Sequence, residues 1–502
     1  MDTPNKSGPG NSISAIGELS MRTRFISRRG LLQTAAAAGA ASSFISKPLR
    51  AATESDVLII GAGLSGLRAA HDAQDGGAKV QVIEGRNRAG GRVLSLTDIP
   101  GNPEAGGNGI GAGYGRMIDS AQRFGVELMN IAERAPLIFQ RELVLDGKVI
   151  KESEWADHPR NAFKGPMKKM MPWQPMPLLM STKNPLGKNY EDWYDPKSFG
   201  LDVSMHDWFL SQGLDEASIE LAYNINCEHG ASAHDVSSLM VAFTYSWGNM
   251  QRDILPRATY AGKGGNQSIP NAMAKALGDK VHYKKAVVGI RSDGNMAEAT
   301  CADGSVYRAK KIICSIPFAA LRNVKMDPVV PGAQGRAIKT MGVQKLTQSH
   351  IVAKKPFWTE DGLKPGLWTD GIVGNMMAQP FGQKPDEITS FTLWHRGWMA
   401  DQIDRMPEAE AKKAIIAGVE AIRPSAKGKL EVRGFKSWQT DPFSCGDWAI
   451  WQPGQVRDFI QHVAKPHGNV HFCGEHTALS NRGMEGAMES GERAAQEVLQ
   501  AL

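Results

Sequence analysis

The chain has 502 residues, with 58 Lys and Arg against 52 Asp and Glu, a formal charge of +6, and 42% hydrophobic residues. That is globular composition, which excludes a mainly disordered or collagen-like chain, and the length suffices for roughly two to four domains. No apolar run reaches the roughly 18–20 residues needed to cross a bilayer, so stable membrane insertion is not expected.

Residues 1–52 hold Lys6, Arg22, Arg24, Arg28, Arg29, Lys47 and Arg50 against Asp2 and Glu18, a charge of +5 that leaves +1 for the other 450 residues. The remainder has no basic stripe, so no nucleic-acid partner is expected. Ser27-Arg28-Arg29-Gly30-Leu31-Leu32, an Ala-rich stretch to Ile45 and small residues at Ala51-Ala52 resemble a twin-arginine secretion signal. The resemblance implies export of a folded protein to the periplasm. Its cleavage point is ill-defined, since Leu49 or Arg50 would occupy the −3 position. The five cysteines, Cys227, Cys301, Cys314, Cys445 and Cys473, are odd in number and widely spaced. Neither a metal site nor a disulfide framework is expected; Cys314 and Cys473 read as small core residues.

Asp56 to Ile60 reads as a buried strand running into Gly61-Ala62-Gly63-Leu64-Ser65-Gly66, then a helix through Leu67, Ala70 and Ala73. Gly76-Gly77 turns the chain, and Lys79 to Ile83 is a second strand ending at Glu84, 23 residues after Gly61. This is a dinucleotide-binding βαβ unit. Gly61 permits the tight turn, Gly63 lets a pyrophosphate approach the backbone, Gly66 lets helix and strand pack closely, and Glu84 accepts from ribose hydroxyls.

Both NAD and FAD fit that fingerprint. The continuation Glu84-Gly85-Arg86-Asn87-Arg88-Ala89-Gly90-Gly91-Arg92 resembles the flavin amine oxidases, the family of monoamine, polyamine and L-amino-acid oxidases. Glu104-Ala105-Gly106-Gly107 is similar to a further turn of that family, although Asn108-Gly109-Ile110 stands where an aromatic is common. Gly264 to Pro270 resembles the family's return into the cofactor domain, and Val287 would meet the adenine through its backbone. Near the end, Cys473-Gly474-Glu475 and Asn481-Arg482-Gly483-Met484-Glu485-Gly486-Ala487-Met488-Glu489-Ser490-Gly491 resemble the closing motif, whose helix N-terminus would steady negative charge on reduced flavin.

The resemblance implies an α/β fold: a Rossmann-type FAD-binding domain from residues 53–130, 262–330 and 425–502, interleaved with an α+β substrate-binding domain from 131–261 and 331–424. Trp448 matches one wall of the aromatic pair through which the amine passes. The other wall falls on Gly483, so the cage looks half missing and a bulky or secondary amine is expected. Asp447 stands where some relatives link flavin through cysteine, which implies noncovalent FAD. The family lysine that holds a water near flavin N5 falls on Gln348 without a gap, or on Lys345 with a two-residue shift. His395 and His476 read as structural.

The activity so implied is hydride transfer from an amine to flavin N5, giving an imine that water hydrolyses to a carbonyl, with O₂ (forming H₂O₂) or a periplasmic electron carrier as acceptor. An L-amino-acid oxidase would need an Arg fork, for which Arg396 and Arg252 are candidates. A polyamine oxidase would need acids, and Glu228 and Asp235 qualify. A C–C desaturase-like flavoprotein, a noncatalytic flavin-binding protein and a homodimer remain open readings.

Overall fold

The computed structural model describes residues 53–256 and 258–502. The expected export segment lies outside them.

Strand β1 (Thr53–Ile60) leads into helix α1 (Leu64–Asp75) and strand β2 (Val80–Ile83). Val57 to Ile60 are buried on both faces, as in a strand covered from two sides. α1 ends at Gly76, where two backbone bonds close its last turn. Later come helix α2 (Ser238–Ile254), capped by the Ser237 hydroxyl accepting from the Met240 amide, and strand β3 (Val306–Cys314). Strands β4 (Leu346–Ala353) and β5 (Ser390–Arg396) follow, then β6 (Val470–Phe472) and the 19-residue terminal helix α3 (Gly483–Ala501).

Two large sheets organise the described residues. The first runs Val281–His282, β2, β1, β3, Ala297–Cys301, Val287–Ser292, Lys325–Asp327. β1 lies parallel to both β2 and β3, and the last three residues of β3 pair in parallel with β6. The register sets Ile60 against Ile83 and Cys314, and Cys314 against Phe472, so four parallel strands end at one level. Gly61, Glu84, Ser315 and Cys473 follow them directly; in a doubly wound sheet this is the edge where ligands bind. The span 281–290 is broken at Lys284, whose φ is 58°, and its two strand pieces lie far apart in the strand order.

The second sheet runs Leu430–Ser437, β4, β5, Asn375–Gln379, Gly366–Thr369, Arg141–Leu145, Lys148–Ile150. One face buries Ile351, Leu367, Phe391 and Leu393 together with Ala411, Ile415 and Val419 of the helix Glu408–Ile422. Leu430–Ser437 belongs here, paired antiparallel with β4. The third cofactor-domain segment, expected from residue 425, thus joins the first sheet only at β6; strand propensity does not say which sheet a strand completes. All five cysteines are free, and Cys314 and Cys473 are fully buried in the core.

α3 packs on α1 at Gly491, and α1 closes on its own entry turn at Gly66. A Cβ on Gly491 would lie 2.2 Å from the Ser65 carbonyl oxygen, and one on Gly66 would lie 2.0 Å from the Gly61 oxygen. Neither backbone neighbour can swing aside. Gly491→Ala should therefore cost about 1–3 kcal/mol of stability through overpacking. Urea unfolding of this variant should show a lower midpoint at unchanged slope; an unaltered midpoint would mean that the helices separate freely.

Candidate functional site

A cavity of about 520 Å³ opens at the shared ends of the four parallel strands. It is lined by Gly61, Gly63, Leu64 and Ser65 from the first turn, and by Glu84, Gly85, Arg86, Gly91 and Arg92 after β2. Gly107, Asn108, Val287, Trp448, Gly474, Glu475, Gly483, Met484 and Ala487 complete the part expected from sequence. Residues as far apart as 61 and 487 thus share one wall because β1, β3 and β6 are register-matched.

Gly63 stands at the N-cap of α1 and Arg482 at that of α3, and neither helix has a side-chain cap. The first residues of both helices line the cavity, so unpaired backbone N–H groups and two positive dipole ends face the same space. The Glu84 carboxylate accepts from the backbone N–H groups of Ala62 and Arg86, both at 2.8 Å, which fixes it at the cavity's far end. Arg86 donates to Asp441 at 2.6 Å and Ser444 at 2.8 Å and lies over the Phe443 ring. Arg92 donates to the Asp447 carbonyl, and its Nη1 is 3.8 Å from Glu475. These are the donors that a dinucleotide's phosphates and a ring carrying negative charge require, so the residues fit a bound flavin dinucleotide.

Four expected residues do not line the cavity. A Cβ on Gly66 would strike the Gly61 carbonyl, and one on Gly106 would lie 2.3 Å from the Arg92 oxygen; both glycines serve close packing. Lys345 turns to the opposite face from Gln348 and pairs with Asp401 at 2.7 Å. Gln348 is fully buried, its amide lying 3.1 and 3.3 Å from the carbonyl oxygens of Glu104 and Ala105. It braces the turn that carries Gly107, as does Asn266, which donates to the Gly107 and Asn108 carbonyls at 2.6 and 2.7 Å. Lys345 lies just before β4 and Gln348 within it, and residues three apart along an extended chain point to opposite faces.

Tyr114 was not legible as a site residue. It lines the same cavity as Trp448, packs on Trp247 at 5.5 Å, and its hydroxyl is 4.0 Å from where a Cβ on Gly483 would stand. The space beside Gly483 is thus approached by an aromatic from another part of the chain. His229 packs edge-on to Trp448 at 6.4 Å; burial lowers its pKa to about 3, with Arg482 and Arg396 adding to the shift, so the ring is neutral. Burial, opposed by Arg92, raises the Asp447 carboxyl to about 7. His395 is held by Ser349 and the Ile372 carbonyl, and His476 packs against Phe318; neither lines the first cavity. Among the described residues no cluster fit to hold a metal occurs.

A second cavity, of about 600 Å³, lies across a shared wall. Glu228 lines it while its neighbour His229 packs on Trp448, and α2 gives Trp247 to Tyr114 while Tyr245, Asn249 and Arg252 line the second cavity. Its floor is one face of the second sheet: Arg141, Trp368, Asn375, Met377, Trp394 and Arg396. Arg396, Arg252 and Glu228, raised as substrate contacts from sequence, all meet here. Asp235 does not; it accepts from the Ala231 and Ser232 amides within its own loop.

Residues 64–499 match the profile of the flavin containing amine oxidoreductases. A flavin-containing amine oxidase of Danio rerio is 26% identical over 478 residues, covering 89% of this chain and 86% of that protein. The flavin-containing amine oxidase B of Homo sapiens is 25% identical over 477 residues with the same coverage. Among solved structures, putrescine oxidase bound to putrescine has a TM-score of 0.72 at 22% identity, over 89% of this chain and 100% of that one. Cyclohexylamine oxidase from Brevibacterium oxydans has a TM-score of 0.68 at 22% identity, over 89% and 99%. Both share the fold. With the profile match running from the first cofactor turn to the terminal helix, the chain belongs to the flavin-containing amine oxidoreductase family and is a flavin-dependent amine oxidase.

Proposed function

We propose that the chain binds FAD noncovalently and oxidises a bulky aromatic or secondary amine. The observation that carries this reading is the cavity in which two uncapped helix N-termini and the pair Tyr114 and Trp448 meet. Bound FAD would supply the two-electron acceptor, taking hydride at N5 from the carbon beside the amine nitrogen and leaving an imine that water hydrolyses. The protein's part is geometric. Trp448 and Tyr114 flank the approach, and His229 behind Trp448 is a neutral ring. No histidine–carboxylate dyad lines the first cavity, and the amine reacts in its deprotonated form in this reading.

Asp447 lines the cavity, and its carboxylate cannot make the thioether that a cysteine would. Acid precipitation of the holoenzyme should release all flavin into the supernatant, and an anaerobic panel of amines should bleach the bound flavin. Flavin that stays with the pellet refutes noncovalent binding, and a panel in which only polyamines react refutes the aromatic preference. Air admitted afterwards separates the acceptors: prompt recolouring with H₂O₂ identifies O₂, and a persistently bleached flavin identifies a carrier.

Tyr114→Ala and Trp448→Ala should each lower kcat/KM for the best amine by about 10- to 100-fold, while Tyr114→Phe stays within about threefold, because the ring and not the hydroxyl orients the substrate. Equal activity in Tyr114→Ala would remove Tyr114 from the cage.

The periplasm is the proposed location, supported by Arg28-Arg29 ahead of the Ala-rich stretch. Replacing both arginines by lysine should leave the protein in the cytoplasmic fraction of the cell; unchanged export would sink the assignment.

A further inference from the structure

Trp448 lines the first cavity, yet its indole Nε1 is buried with no hydrogen-bond partner among the described residues. The ring is set by its backbone and by what packs behind it. There stands His229, edge-on at 6.4 Å, with both ring nitrogens buried and unpartnered as well. An edge-to-face pair of this kind keeps its geometry only if the two backbones are held at a fixed separation.

One residue holds both. Gln344 is fully buried and lines neither cavity. Its backbone N–H donates to the Trp448 carbonyl at 2.8 Å, and its carbonyl accepts from the Asp447 amide at 3.0 Å. These bonds carry the antiparallel pairing of Gly342–Val343 with Ala449–Ile450 up to Trp448 itself. The side chain reaches the residue after His229: Oε1 accepts from the Gly230 N–H at 2.8 Å, and Nε2 donates to the Gly230 carbonyl at 3.1 Å. A side-chain amide carries donor and acceptor on one planar group, so it pairs with a single residue's backbone as a neighbouring strand would.

The other bonds at His229 and Gly230 come from the same stretch of chain. The Tyr223 hydroxyl donates to the His229 carbonyl at 2.7 Å, and the Cys227 thiol to the Gly230 carbonyl at 3.2 Å. Among the described residues, Gln344 is thus the hydrogen-bonded tie between these two residues and the Trp448 segment.

We propose that Gln344 is a positioning residue for amine oxidation: it clamps the His229 turn to the Trp448 backbone and so fixes the Trp448 ring at the substrate approach. The proposal deepens the reading of Trp448 as a wall of the amine's path and rests on it for any effect on turnover.

The test uses the FAD-loaded full enzyme and Gln344→Met, which keeps the volume and the backbone pairing and removes both amide bonds. Flavin content should be unchanged, and kcat/KM for the best amine should fall about tenfold. Trp448→Ala supplies the discriminating background. A residue that acts through Trp448 has nothing left to position there, so the double variant should stay within about twofold of Trp448→Ala alone. A loss that multiplies with that of Trp448→Ala shows a merely structural role and overturns the proposal.

A second readout needs no turnover. In holoenzyme labelled with 5-fluorotryptophan, the fluorine resonance missing from Trp448→Phe belongs to Trp448, and it should shift or split in Gln344→Met. The resonance of Trp155, buried in a separate apolar cluster and identified in the same way, should stay. A Trp448 resonance that does not move overturns the proposal, as does equal movement of both. Should Gln344→Met fail to fold, His229→Ala removes the packing partner and should give the same non-additive loss, while His229→Phe keeps a ring edge on Trp448 and should stay within about threefold; full activity in His229→Ala counts against the clamp. If Trp448→Ala is slow but Gln344→Met is not, the wall stands and the clamp is wrong. If Trp448→Ala oxidises amines at the full rate, the wall reading is wrong, and the Trp448 resonance alone decides the role of Gln344.

Discussion

The structure depends on bringing two helix N-termini to one point. An N-terminus carries unpaired N–H donors and about half a positive charge, and α1 and α3 each direct theirs at the first cavity without a side chain to cap it. The two helices can converge only because their contact is made at glycine, Gly491 against the Ser65 backbone, while Gly66 lets α1 close on its own entry turn at Gly61. Everything else in the first sheet serves that convergence, including the parallel register that ends β1, β2, β3 and β6 at one level.

A second constraint acts through bracing residues that never face the cavity. Glu104 accepts from the Asn266 amide at 2.7 Å, Trp438 donates to the Ala105 carbonyl at 2.7 Å, and Gln348 fills the remaining space against the same short strand. These contacts hold Gly107 and Asn108 where the cavity needs them. Burial raises the Glu104 carboxyl to about 8, against the pull of the Asn266 and Ser95 hydrogen bonds. The turn is therefore fixed by a group that buried surroundings keep largely neutral rather than by an ion pair.

The second sheet divides its faces between two tasks. One face is apolar and packs on a helix; the other presents tryptophans and arginines to a cavity. The alternation is visible along β5, where Trp394 and Arg396 share one face and Leu393 takes the other. Placing cations on a buried face is unfavourable unless they are stacked or paired, and the indoles of Trp173 and Trp394 provide the stacking.

The cofactor cradle was legible in the sequence because its chemistry is local. Gly61, Gly63 and Glu84 are set by one βαβ unit, and Gly474 to Ala487 by one strand–turn–helix, so spacing alone specifies their roles. Residues whose roles depend on partners far along the chain were not legible. Gln348 and Lys345 could be counted but not aimed, since only the sheet decides which face turns inward. Leu430–Ser437 read as a strand without saying which sheet it completes. Tyr114 and Gly483 are joined by no motif, and their proximity arises because α3 lies against the segment that follows Gly107. The second cavity, with Arg141, Trp173, Glu228 and Arg396, draws on four separate segments. By itself the sequence determined the nucleotide-binding turns, whose geometry is written in glycines and a single acid. Tertiary structure alone decided the aromatic wall and the arginine-lined cavity, because side chains remote in sequence acquire a common environment only once the sheets have assembled.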